Sequence, residues 1–206
     1  MSGTDGKLPL EEIVSLETCS ILAVLIPVVF AILWITSATL DGDWTFGTDS
    51  LSRMGISDNP VSAVLFNYGC MVTGALGFIL GYATAVHEKG YNTYCGAAYS
   101  AGMVFLMVVG IFPMDQGIIH YIAAGVFGIF MFIALIFSAL TDYYQKWHPE
   151  VDLIILAAAL ILIATQVFEL WEPLLVIFVM VWTIIHGIKM RMFADQFPLC
   201  IKNKFD

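Results

Sequence analysis

Basic residues are scarce in this chain: of 206 residues, 8 are Lys or Arg against 17 Asp or Glu, a formal charge of −9. A protein that binds nucleic acid by releasing counterions needs a basic face, so DNA and RNA partners are excluded. Polar stretches long enough to build a separate water-soluble domain are also missing. The 4 cysteines show no CxxC spacing of the zinc-binding kind. Cys19 and Cys95 fall near helix ends, Cys70 lies within an apolar run and Cys200 is in the tail. No two share an oxidising loop, and free thiols are expected.

What the chain has in abundance is apolar surface. Hydrophobic residues make up 60% and charged residues 12%, where ordinary soluble domains have about 45–50% and about 25%. Six apolar runs stand between polar breaks: Cys19–Leu40, Val61–Val86, Cys95–Pro113, Ile118–Leu140, Leu153–Leu170 and Leu174–Met190. Each is long enough to cross hydrocarbon as a helix, and none alternates as a barrel strand does. The expected fold is an all-α polytopic membrane protein, a six-transmembrane-helix bundle forming a single domain over residues 1–206. Residues 1–18 form a cytoplasmic N-terminal segment, 41–60 an outer loop and 191–206 a cytoplasmic tail. Glu11, Glu12 and Glu17 flank the first run and no small-x-small site closes it, so it reads as a helix of the mature chain rather than a cleaved signal.

Orientation follows from the loops. Lys7, Lys89, Lys146, Lys189, Arg191, Lys202 and Lys204 share one side, and Arg53 alone is on the other. The positive-inside rule then places both termini in the cytoplasm of a cell-membrane protein. The outer side collects Asp41, Asp43, Asp49, Asp58, Asp115, Glu169 and Glu172. Asn59 followed by Pro60 starts the second helix with a cap and a first-turn proline, and Pro173 opens the last in the same way. Pro27 falls inside the first helix, where it removes a hydrogen bond. Cys70, Gly74, Gly77 and Gly81 on the second helix, and Gly125 and Gly128 on the fourth, read as close-packing positions.

Polar groups at membrane depth are costly and point to function. The outer loop carries Leu51 to Gly55 (LSRMG) and then Asp58; Arg53 suits a phosphate or carboxylate headgroup, although turn and capping chemistry explains the same residues. In FPMDQGIIH, Phe112 to His120, Asp115 can cap the following helix, and His120 can act as acid, base, ligand or strut. Gln166, Glu169 and Glu172 recur at spacings of three along one helical face. Asn67 can bond across helices. Ser52, Arg53, Asp58, Asn67, Asp115, His120, Gln166 and Glu169 thus form the candidate ligand-binding set, all in the outer third.

The pairing of LSRMGISDNP with GIFPMDQGIIHYIAAGVFG resembles the membrane family known as domain of unknown function 998. It is also distantly similar to the FRAG and damage-regulated autophagy modulator families. The resemblance singles out Ser52, Gly55, Asp58, Phe112, Pro113 and His120, with either Ser52 or Ser57 at the family's serine position. It implies a six-helix bundle, linked in some relatives to lipid metabolism or sensing, and supplies no reaction.

Three functions remain open. A non-catalytic protein binding a lipid or amphiphile needs only an apolar cavity with a few convergent polar groups. An intramembrane metal-dependent hydrolase acting on lipid needs more ligands than His120 and the outer carboxylates offer, since His87, His148 and His186 belong to the opposite side. A proton- or cation-coupled carrier would use Glu169 and Asp115, without an internal repeat behind it. A haem held by His120 and His186 is excluded by their opposite depths, so no cofactor and no metal are expected. The expected partners are membrane lipids and a homo-oligomer or membrane-protein assembly.

Overall fold

The computed structural model describes residues 16–165 and 170–193, with side chains for 18–165 and 170–192. Each long apolar run folds as an α-helix, the form that satisfies its backbone internally. The helices are α1 (Leu16–Asp41), α2 (Pro60–His87), α3 (Tyr91–Ile111), α4 (Ile118–Gln145), α5 (Pro149–Thr165) and α6 (Trp171–Phe193). Two 3-10 turns, Leu51–Ile56 and Met114–Gln116, lie in the connections before α2 and α4. Among the described residues no strand forms. Five helices, α1 to α4 and α6, are long and apolar enough to cross a membrane. The sequence reading has six. Helix α5 differs because it starts earlier, at Pro149, and has 17 described residues, a rise of about 25 Å; the end of that run, residues 166–169, lies outside the described residues.

Local signals explain the boundaries. Asn59 accepts from the Val61 N–H at 3.0 Å, with Pro60 at the first helical position, as expected. Its amide also donates to the Leu40 carbonyl at 2.8 Å, tying the start of α2 to the end of α1. One turn deeper the same helices clasp, Ser37 Oγ donating to the Ser62 carbonyl at 2.9 Å and Ser62 Oγ to the Ser37 carbonyl at 2.8 Å. Helix α1 runs unbroken through Pro27. Asp115 does not cap α4: the cap position is Gly117, at φ 63°, and no side chain bonds there. The backbone turns at Gly117 before the carboxylate can reach the helix N-terminus.

Each helix packs on its neighbour in sequence, and α6 returns to α1, closing the bundle; the most extensive contact is α2 with α3. Gly81 and Gly96 account for that closeness. A Cβ on Gly81 would lie 2.7 Å from the Gly96 carbonyl, and one on Gly96 would lie 2.6 Å from the Ala85 nitrogen. Gly74 and Gly77 likewise meet Met103 and Met107, so α2 is the close-packing helix its small residues indicate. Gly125 and Gly128 are different, with no described atom within 4 Å of a Cβ built on either. Helix α4 turns its other face inward, with Ala123, Met131, Ala134 and Leu135 buried. Two apolar clusters fill the interior, one around Phe30, Trp34, Met54 and Phe66 and the other around Ala23, Tyr99, Leu135 and Trp182.

Candidate functional site

The bundle has two unlike ends. At the turn end, the connection from α1 to α2 folds back as the 3-10 turn, and Leu51 and Met54 are almost fully buried against Phe66, Cys70 and Val109. Buried Ser52 donates its Oγ to Glu172 Oε1 at 2.7 Å and its backbone N–H to the same oxygen at 3.2 Å. The Asn67 amide donates to the Gly55 carbonyl at 2.8 Å. His120 is buried, with Nδ1 2.9 Å from the Phe112 carbonyl, so it fastens α4 to the end of α3. Arg53, Asp58 and Asp115 are exposed. Arg53 forms an ion pair with Asp49, whose carboxyl is held below its usual range first by the Thr45 N–H and then by Arg53. Gln166 and Glu169 lie outside the described residues. The structure thus brings Ser52 and Asn67 onto one buried turn and leaves three of the eight candidate residues at the surface. The carboxylate that meets Ser52 is Glu172.

The other end holds most of the buried charge. Lys189 on α6 is 7% exposed and forms an ion pair with Asp142 on α4, itself 4% exposed. Asp152 on α5, fully buried, places Oδ2 3.4 Å from the same ammonium. Local structure sets this geometry. Helix α4 ends with Lys146 in the left-handed conformation, at φ 57°, and the Trp147 N–H bonds the Asp142 carbonyl at 2.9 Å. That reversal carries Trp147 over Lys189, 4.4 Å from ring centroid to ammonium. It also sends the chain back into α5, whose first turn supplies Asp152.

Glu88, at the end of α2, belongs to the same cluster. It is 4% exposed and one carboxylate oxygen accepts from the Asn92 amide. The other oxygen is buried without a partner, as are Asp152 Oδ1 and His186 Nδ1. Burial pushes the Glu88 carboxyl up to about 7, against the pull of the Asn92 bond. A cavity of about 10 Å³, lined by Glu88, Asn92, Thr141, Asp142, Gln145, His186 and Lys189, lies beside the ion pair; Asp152 is not in its lining. That volume suits about one water molecule.

Two carboxylates therefore face one ammonium in a dry setting, and a third carboxyl lines the same cavity. A buried ion pair repays desolvation only when charges and hydrogen bonds balance. Here one negative charge is left over, and a proton is the smallest species that neutralises it. Among the described residues no group of His, Cys, Asp and Glu is arranged to hold a metal.

The sequence alone does not reveal this cluster, because Asp142 and Asp152 flank a polar connection and read as loop charges, while Lys189 reads as one of the basic residues of the inner side. A signal existed. Asp142 continues the buried series Met131, Leu135 and Ser138 on α4, and Lys189 continues Trp182 and His186 on α6. Both charges fall on faces that turn inward.

Long apolar helices packed around an apolar interior are those of a helical integral membrane protein. Within that class, residues 24–189 match the family model described as "Protein of unknown function (DUF998)", and the chain belongs to this family. It matches no curated protein and no solved structure.

Proposed function

We propose that this membrane protein is proton-coupled, and that its working event is the uptake and release of a proton at the buried carboxylates of the charged end. One observation carries the reading: Asp142 and Asp152 share a single ammonium, Lys189, with Glu88 across the same small cavity. Intramembrane carboxylates that exceed their counter-charges are the parts from which proton relays and carriers are built. This takes up the carrier chemistry that stood third in the sequence reading, behind amphiphile binding and the hydrolase, and moves it from Glu169 and Asp115 to Glu88, Asp142 and Asp152. The cluster's basic surroundings, exposed Lys89 and Lys146 among them, favour a cytoplasmic position for this end and cytoplasmic termini. Helix α5 is counted in this reading as a sixth crossing.

The test is an infrared titration of the purified full chain in lipid nanodiscs between about pH 5 and about pH 9, spanning the ordinary carboxylate range and beyond it. A protonated-carboxyl band is expected to persist near neutrality, to shrink in Glu88→Gln and to change its midpoint in Asp152→Asn. The same band in all three proteins overturns the reading. So does a band that responds to sodium withdrawal and not to pH, which would make the bound cation sodium.

Amphiphile binding at the turn end, through Ser52, Arg53, Asp58, Asn67, Asp115, His120, Gln166 and Glu169, is the second reading. It is favoured by exposed Arg53 standing on the rim of a turn whose preceding residue, Ser52, meets a carboxylate. It ranks second because Ser52, Asn67 and His120 already bond groups of the protein itself. A co-purifying lipid released by Arg53→Ala, without change in the carboxyl titration, would reverse the order.

A further inference from the structure

Glu88 sits where α2 ends, and three hydrogen bonds fix it there. Its backbone N–H donates to the Thr84 carbonyl at 3.0 Å, and its own carbonyl accepts from Thr93 Oγ1 at 2.8 Å. The third bond reaches the carboxyl: the Asn92 amide donates to Oε2. Gly90, at φ 67°, makes the turn that brings the chain back to Glu88 within four residues and starts α3. Asn92 is 4% exposed, so its bond to the carboxyl is shielded from water. Among the described residues nothing bonds the other oxygen, Oε1.

We infer that Asn92 is the positioning residue of the proton site: by occupying Oε2 it directs the incoming proton to Oε1 of Glu88. A protonated carboxyl has one hydroxyl and one carbonyl oxygen, and the carbonyl is the better acceptor for an amide N–H. The oxygen facing Asn92 therefore stays the carbonyl, and the oxygen without a partner takes the proton. The same bond sets the poise of the site. Amide donation favours the charged carboxylate and opposes burial, so that the carboxyl rests at about 7 instead of rising further. The titratable groups around Glu88 are Asp142 on α4, His186 and Lys189 on α6, Cys95 on α3 and Cys19 on α1, with Asp152 of α5 on the same ammonium. His87 and Lys89 are its neighbours in the chain. Asn92 is the side chain that donates to its carboxyl.

The inference rests on the proton-uptake reading, and its experiment separates the two. Infrared difference spectra of the full chain in nanodiscs, wild type minus Glu88→Gln, isolate the Glu88 carboxyl band. Its wavenumber and its titration midpoint are then followed in Asn92→Leu, Asn92→Gln and Thr93→Val. In wild type the carbonyl stretch is expected at the lower wavenumber of a hydrogen-bonded carbonyl. Asn92→Leu should move it up to the free-carbonyl position and let the carboxyl keep its proton down to about tenfold lower proton concentration, about one pH unit. Asn92→Gln, which keeps the amide donor, should return both readings toward wild type. Thr93→Val removes only a bond to the Glu88 backbone; it should lower the melting temperature and leave the band in place. A wild-type band already at the free-carbonyl position overturns the inference even if Asn92→Leu does not fold. An unchanged wavenumber and midpoint in folded Asn92→Leu overturns it too, and in both cases the proton-uptake reading stands if the wild-type band titrates. A wild-type carboxyl band that never titrates overturns both.

Discussion

The two ends of the bundle use polar residues in opposite ways. At the turn end, Ser52, Asn59, Asn67 and His120 each bond a backbone group or a carboxylate, and the effect is to pin one loop and two helix junctions. At the charged end, two buried carboxylates meet one ammonium beside a third buried carboxyl, and oxygens of Glu88 and Asp152 stay unpartnered. Polarity that is used up within the fold stabilises it; polarity left in excess has a ligand still to find.

The largest expected effect breaks the charged end. Lys189→Met leaves two buried carboxylates without a counter-charge and should cost about 3–5 kcal/mol, read as a large drop in melting temperature in detergent. Adding Asp152→Asn to that variant should recover part of the loss. No recovery would mean that the lysine acts by packing under Trp147 rather than by charge.

At the other end, Met54→Ala empties a fully buried site in the turn and should cost about 2–5 kcal/mol, read by the same melt. Its carboxyl titration should match wild type, since the turn end does not contribute to the proton site. Ser52→Ala removes a hydroxyl bond to a carboxylate and should cost about 1–3 kcal/mol. Retention of the Ser52 backbone N–H bond to Glu172 keeps the effect at the lower end. The smallest effect belongs to the surface: Arg53→Ala breaks an exposed ion pair with Asp49 and should leave the melting temperature unchanged.

Much of the fold was legible because lipid simplifies the choice of structure. Apolar length placed the helices, Asn59–Pro60 placed the start of α2, and Gly74, Gly77 and Gly81 marked its packing face. Gly125 and Gly128 misled, since small residues announce close approach only when their face turns inward. The candidate site was harder. Local sequence reports how polar a segment is and says little about which way its last turn points. Asp142, Asp152 and Lys189 come from three helices, and the reversal at Lys146 and Trp147 that gathers them is a backbone event no charge count records. The LSRMG motif points to Ser52, whereas nothing local to Glu172 marks it as the partner of a serine 120 residues away.

The central claim is that the charged end holds a carboxyl that prefers its proton near neutrality. Glu88 offers the most direct test, as its pKa rises from the ordinary 4.5 to about 7 in the folded protein. The folded state then binds the proton more tightly than the unfolded chain. Its contribution is complete below about pH 4.5 and is lost as pH rises through about 7, by up to about 3 kcal/mol. Melting temperature in nanodiscs, measured against pH for wild type and Glu88→Gln, reads this difference. The account predicts that wild type declines relative to Glu88→Gln between about pH 4.5 and about pH 7 and that the gap then levels. Parallel curves across that window would contradict it.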